Sequence, residues 1–396
     1  MASQTKEHTV IKEVQEADLV SIVDFFGDLE DPRSSINRKH LLSDLIVICV
    51  AAVVAGCDGP KSIGIWAKAK TQWCMNHLEL PFGIPSHDTI GRVLATLNPS
   101  SFQACFRKWV EHMQRDDPSA LKTAQPHIAI DGKALRRSHD HRNELGPLFL
   151  VSAWSVEGGF SLGQLATEAK SNEITAIPEL IDNINVQGAV VTIDAAGCQK
   201  NIAQKIVDAK GDYVLALKGN QGTMHKQAIR WIDEQFENDW HGIVHEILET
   251  SEKGHGREDT HSYIQFLVPD EFKGREKWAG LKTIGVAIRS SFANGKETID
   301  TRYYLNSLPL DIKRFATAVR GHWAIENTLH WCLDVTFRED ESRLRNRFAA
   351  ENLAWLKRFA IGLIKQNASK ESIAMQRRMA GWNDNYLTQL LGLQTL

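Results

Sequence analysis

The sequence predicts an α+β protein of several domains: a helical N-terminal part, a mixed α/β module split by a β-rich insertion, and a helical C-terminus. Three observations carry that prediction. Apolar residues recur at helical spacing up to about residue 118; short apolar strands and helices follow between 127 and 217; and four alternating stretches between about 243 and 307 precede a return to helical spacing at Asp311. The chain has 396 residues, 43% hydrophobic and 24% charged, enough for roughly two or three cores of about 150 residues each. With 11 Pro, 27 Gly and no tract of biased composition, general disorder is not expected.

In the leader, residues 1–118, a helical segment over 10–29 stops at the loop GDLEDPRSS. A buried helix is predicted over 40–55 and ends at GCDGP. Further helices are predicted over 62–77, from Ser86, whose hydroxyl suits an N-cap, and over 101–114, with Asn98 and Pro99 marking a stop. The helix from Ser86 has two readings: the second helix of a helix-turn-helix with His87 and Arg92 turned to DNA, or a capped amphipathic helix that needs no DNA.

The mixed module, 119–242, reads β, β, β, α, β, α, β. Its strands fall at 127–131, 148–156, 160–167, 189–194 and 212–217, the second and third joined as a hairpin at Gly158 and Gly159. Helices are expected over 173–184 and 201–209. Residues 243–310 form the β-rich insertion, and 311–396 return to helix with breaks near Glu339 and Gly381.

There are 46 Lys and Arg against 49 Asp and Glu, a formal net charge of -3, so any attraction for nucleic acid must come from local patches. The six cysteines, at 49, 57, 74, 105, 198 and 332, form no close pair, which argues against a zinc ribbon or a disulfide framework and for a reducing cytoplasm. Residues 1–20 lack the apolar core of a signal peptide. The apolar run over 45–56 is shorter than the about 20 residues of a membrane helix. A cytoplasmic protein is expected.

Asp131 and Asp194 each end a predicted strand, and the element order makes those strands parallel neighbours about 4.8 Å apart. Taken singly, each aspartate reads as a turn former or helix cap. As a pair they repel unless a cation lies between them, which invites Mg²⁺ or Mn²⁺. A third carboxylate is sought in VRGHWAIENTLHWCLDVTF (319–337), where His322, Glu326, His330 and Asp334 recur every four residues on one broad face. That spacing is not the zinc-protease pattern. Gly-rich phosphate loops are absent too, so neither a dinucleotide fold nor an ATP-driven motor is indicated.

The strings DGKALRRS (131–138), IDAAGCQKNIAQKI with DYVLALKGNQ (193–221), and GHWAIENTLHWCLDVTFRED (321–340) resemble the H-repeat-associated family of bacterial insertion-sequence DDE transposases. FFGDLEDPRSS and KHLLSDLIVICVAAVVAG resemble that family's helical leader, so the likeness covers nearly the whole chain. The resemblance implies a ribonuclease-H-like catalytic core with a β-rich insertion before the last acid. It also implies an acidic triad at Asp131, Asp194 and Glu326, with Asp334 as rival for the third place. In wider relatives the Glu belongs to a Tyr, Arg, Glu, Lys signature, whereas the matching positions here hold Val319, His322 and Leu333. The implied activity is metal-dependent cleavage of double-stranded DNA at the element's terminal inverted repeats and strand transfer into target DNA, by a homo-oligomer with nucleoid association when bound. A metal-dependent nuclease without joining, and an inactive transposase-derived DNA-binding protein, remain as alternatives.

Phosphate contacts are expected from Lys133, Arg136 and Arg137 just after Asp131, from Lys218 after the fifth strand, and from His322. Between 342 and 378 there are nine Lys or Arg against two Glu, interleaved with Phe348, Trp355 and Phe359. A helix there would bury its aromatics and turn Arg343, Arg345 and Arg347 to phosphates, or it would be a solvated face.

Overall fold

The computed structural model describes residues 22–116, 125–140, 142–167, 173–254 and 257–393. Most of the segment expected to be helical over 10–29 lies outside them; its described end, Ile22–Phe26, is a 3-10 turn. The leader packs as five helices: α1 (Leu42–Val54), α2 (Pro60–Ala69), α3 (Thr71–His77), α4 (His87–Thr96) and α5 (Pro99–Asp116). Helix α1 is buried at every position except Ser43, and its buried Asp44 accepts the Leu80 backbone N–H at 3.0 Å. The single helix expected over 62–77 is two, which break at Lys70 and pack Trp66 against Trp73. Ser86 caps α4 by accepting from the Thr89 backbone N–H at 3.2 Å. Helix α4 stops at Thr96, directly before Asn98 and Pro99 as expected, and the same pair also starts α5. The Asn98 carboxamide oxygen accepts the N–H groups of Ser100 and Ser101, and Pro99 takes the first helical position, where its missing N–H is harmless.

Nine strands follow: β1 (His127–Leu135), β2 (Leu148–Ser155), β3 (Phe160–Thr167), β4 (Val190–Ile193), β5 (Asp212–Leu217), β6 (His245–Gly254), β7 (Arg257–Leu267), β8 (Thr283–Ala293) and β9 (Lys296–Asn306). They form one sheet in the order β3-β2-β1-β4-β5-β9-β8-β7-β6. Among the described residues, only β1, β4 and β5 run parallel, as expected for strands joined through α6 (Glu173–Asp182) and α7 (Lys200–Asp208). The insertion strands extend the sheet, because β9 pairs antiparallel with β5 from Val214↔Asn306 to Leu217↔Tyr303.

The sequence reading leaves 218–242 unassigned, yet α8 (Gly222–Glu237) occupies most of it. Its buried stripe is only Met224, Ala228 and Ile232, too thin to stand out in the sequence. Helices α6, α7 and α8 cover one sheet face around Ile130, Val191, Ile193 and Leu215. The other face is covered by α9 (Ile312–Ala324) and α10 (Arg347–Gln366). Helix α10 is buried over most of its length and joins α1–α5 to α11 (Ile373–Trp382), α12 (Asp384–Leu391) and Trp154 of β2 in one continuous core. Among the described residues, no helix is long and apolar enough to cross a membrane. All six cysteines are buried free thiols.

Candidate active site

Side chains on a strand alternate between faces, and paired residues in a ladder share one face. The parallel register runs Ile128↔Val191 to Ile130↔Ile193, so the next pair is Asp131 and Asp194, side by side where β4 ends. Counting in twos from the pairs Val191↔Tyr213 and Leu217↔Tyr303 places Asp131, Lys133, Thr192, Asp194, Lys218 and Arg302 on the α9 face of the sheet.

The chain from α9 onward leaves α-helical hydrogen bonding at two consecutive π-helical segments, Ile325–His330 and Cys332–Thr336. Such widened turns are rare and frequent at functional sites. The broad face inferred from the sequence survives them. His322 and His127 both hydrogen-bond the Thr192 hydroxyl, at 3.1 and 2.8 Å. Glu326 and His330 lie toward Asp131, with His330 Nδ1 3.6 Å from Asp131 Oδ2. Asp334 meets Lys133 at 2.7 Å. Helix α9 approaches β1 closely because Gly321 lies over the His127 ring, where a methyl group would stand 2.4 Å from Nδ1.

Burial, and then the charge of Asp194, pushes Asp131 up to about 7; Glu326 and Glu173 add to the repulsion, while the N–H of Gly132 opposes it at 2.8 Å from Oδ1. Burial lowers His330 to about 3 and His322 to about 4, so both imidazoles are neutral and neither compensates the acids. A hard divalent cation is the chemical match to a cluster of carboxylate oxygens carrying this unrelieved charge. Mg²⁺ needs only one or two carboxylates and keeps several waters, so a closed cage is not required. None is preformed: among the described residues, no three His, Cys, Asp or Glu side chains are gathered at ligating distance. The acids nearest this charge are Asp131, Asp194, Glu326 and Glu173.

Several expected phosphate contacts are placed otherwise. Lys133 is buried and surrounded by Asp334, Glu339 and Asp340, at 2.7, 3.4 and 3.0 Å. It closes a buried ion cluster in which Arg358 pairs with Glu339 at 2.8 Å and donates to the Ser152 hydroxyl at 3.2 Å. Ser152 is the cross-strand partner of Asp131. His322 is held on Thr192 behind Glu326, and Arg347 donates to the carbonyls of Ser138 and Gly146. Part of the basic stretch over 342–378 is turned inward: Arg358 is buried against Glu339, Arg377 against backbone carbonyls, and Lys357 is buried as well, whereas Lys370 and Arg378 are exposed. Arg343 and Arg345 remain exposed in the extended segment before α10, not on a helix. Arg136 and Arg137 are exposed, Arg136 beside Asp340, and exposed Lys218 lies at the acidic edge as expected.

The sequence reading missed a cleft of about 710 Å³ that opens beside Glu326 and is lined by Lys218, Arg257, Arg289, Arg302, Arg320 and Trp323. The Trp323 ring carries Arg302 at 5.0 Å and Arg289 at 5.9 Å. Asp259 and Glu252 hold Arg257, Arg289 and Arg320 in place within the cleft. These arginines come from three insertion strands and α9, and for the three on strands the sequence signal is the alternation along each strand.

Residues 23–110 match the family described as DDE_Tnp_1-associated, and 122–363 the Transposase DDE domain family. The chain is 38% identical to "Putative transposase YncI" of Escherichia coli O157:H7, covering 94% of each. It is 36% identical to "H repeat-associated putative transposase YhhI" of Escherichia coli strain K12, over 94% of this chain and 98% of that one. A solved piggyBac transposase synaptic complex with hairpin DNA aligns over 93% of this chain and 76% of that one, at 11% identity and a TM-score of 0.40. The chain therefore belongs to the DDE transposase family, alongside the H repeat-associated members it matches over nearly its whole length.

Proposed function

We propose that this protein is a metal-dependent transposase that cleaves double-stranded DNA at insertion-sequence ends and joins the freed 3'-hydroxyl to target DNA, acting as a homo-oligomer. The observation that carries the reading is that Asp194 and Glu326 both lie close enough to Asp131, where β4 ends, to raise its pKa, and that Glu326 lines the arginine-bearing cleft. The order β3-β2-β1-β4-β5, with β1, β4 and β5 parallel, supports a ribonuclease-H-like core. In this reading residues 1–118 are a leader, 119–242 and 311–396 form the two parts of that core, and 243–310 are the insertion.

Asp131 and Asp194 hold ligand oxygens on a rigid sheet, and Glu326 supplies the third from the π-helical turn. These residues would hold divalent ions, whose chemistry there would be to activate the attacking hydroxyl and to stabilise the leaving oxygen of an in-line phosphoryl transfer. Lys218 and the cleft arginines neutralise the DNA backbone and orient it along the edge. Lys133, Glu339 and Arg358 brace the segment after Glu326 against β1 and β2.

The test uses end-labelled duplex carrying the element's termini, plasmid target and Mg²⁺. Cleaved ends together with joined products are expected. Cleavage without joining would make the protein a nuclease, and binding without cleavage in Mg²⁺ or Mn²⁺ would leave a DNA-binding protein.

A further inference from the structure

Helices α7 and α8 begin next to each other beyond the carboxyl ends of β4 and β5, and a second cleft, of about 630 Å³, opens where they start. Lys200, the first residue of α7, lines it together with Lys273 and Lys277 from the segment after β7. All three lysines are exposed. Among the described residues none of them meets an acid, and Glu276 is the one acid in the lining. The loop over 218–222 divides this cleft from the arginine-lined one: Lys218 lines the first, whereas Asn220 and Gly222 line the second. Asn220 donates to the Ala195 carbonyl, which fastens the loop to the residue after Asp194.

The lysine cleft suits an anion in more than its side-chain charge. Neither α7 nor α8 has a side-chain cap, and their N-cap residues are bonded to each other, Gln221 donating to Gln199 Oε1 at 3.0 Å. Two helix N-termini, each carrying partial positive charge, therefore open on the cleft. A methyl group at Gly219 or Gly222 would touch nothing, so packing does not call for glycine there; its effect is a bare backbone that a ligand can approach. Trp278, 2% exposed, also lines the cleft, and its buried indole N–H has no acceptor among the described residues. Such a donor is normally paired, and a phosphate oxygen is an acceptor that would pair it.

The two clefts differ in kind. Asp259 and Glu252 hold the arginine forks of the first in place, which suits one fixed register of backbone. The lysines of the second are point charges on flexible stems, which can follow phosphates of any sequence. Asn220 and Gln221, whose amides could read base edges, are spent on Ala195 and Gln199.

We infer that the lysine cleft grips the sugar–phosphate backbone of a second duplex, the target DNA, while the arginine cleft holds the element end. The inference rests on the transposase reading above, which brings two duplexes to one set of acids. The bond from Asn220 to Ala195 keeps the gripped target in a fixed relation to Asp194.

In the test, the full chain is saturated with unlabelled duplex carrying the element's end, and a fluorescent duplex lacking that end is titrated in at several salt concentrations. The triple variant Lys200→Ala, Lys273→Ala, Lys277→Ala is expected to flatten the slope of log K against log salt for the second duplex by about 0.9 per lost phosphate contact. Its joined products should fall roughly 10- to 100-fold, while its binding and cleavage of the element end match wild type. Lys→Arg at all three positions should keep the wild-type slope. A wild-type slope in the alanine variant overturns the inference, as does a loaded wild-type protein that takes up no second duplex. Loss of element-end cleavage equal to the loss of joining would assign the lysines to the first duplex and overturn it too. If the wild-type protein binds neither duplex, the transposase reading and this inference fall together.

Discussion

Lys133 Nζ lies 2.7 Å from Asp334 Oδ1, and the same ammonium also meets Asp340 at 3.0 Å and Glu339 at 3.4 Å. Asp334 is thereby committed to a structural ion cluster, while exposed Glu326 faces Asp131 and the cleft. On the proposed reading, Glu326 is therefore the one of the two rivals that takes the third acidic place. Glu326→Gln should abolish cleavage and joining in the labelled-end assay but leave DNA binding intact. Asp334→Asn should retain cleavage and lose roughly 1 kcal/mol of stability, because Lys133 keeps two other partners. A cutting Glu326 variant beside a dead Asp334 variant would reverse the assignment.

Salt dependence of DNA binding separates arginines that hold the protein together from those that hold DNA. Lys218→Ala combined with Arg302→Ala should flatten the slope of log K against log salt by about 0.9 per lost phosphate contact on duplex DNA. The pair Arg343→Ala and Arg345→Ala should flatten it similarly. Arg347→Ala should leave the slope alone and lower stability, since its guanidinium is spent on the carbonyls of Ser138 and Gly146. A slope that responds only to Arg347 would contradict this division.

Glu351 on α10 accepts from the Gln103 carboxamide at 3.2 Å, and burial raises its pKa from 4.5 to about 7. Between those two values the folded protein keeps a proton that the unfolded chain has released, so this group makes stability fall as pH rises from about 4.5 to about 7. Glu351→Gln should remove that decline and, above pH 7, stabilise the protein by at most about 3 kcal/mol. Urea denaturation at pH 5 and pH 8 checks it; an unchanged pH profile would show that Glu351 titrates normally.

Asp131 and Asp194 were legible because the order of strands and helices makes their strands parallel neighbours, and the local pattern puts an acid at the end of each. The common face of His322, Glu326, His330 and Asp334 was legible from spacing alone. The roles of Lys133, Arg347 and Arg358 were not, since a cation's partner is set by tertiary contact: Asp340 reaches Lys133 from 207 residues away. The arginine cleft was hidden for a related reason, its members being single positions on three strands and a helix whose adjacency the sequence does not spell out. Nothing in the string IENTLH announces widened helical turns.

Strand β9 is hydrogen-bonded to β5, and β5 to β4, so Arg302 and Asp194 belong to one rigid lattice. Two inter-strand steps of about 4.8 Å and an offset of two residues along the strand put them roughly 12 Å apart. On the proposed reading, the sheet acts as a ruler whose length matches three to four nucleotides at about 3.4 Å of rise each along a DNA strand. The offset between the phosphate that is gripped and the phosphate that is cut would then be a property of backbone hydrogen bonding and independent of DNA sequence. A bulge engineered into β5 or β9 would shift the position of the cut without removing the capacity to cut.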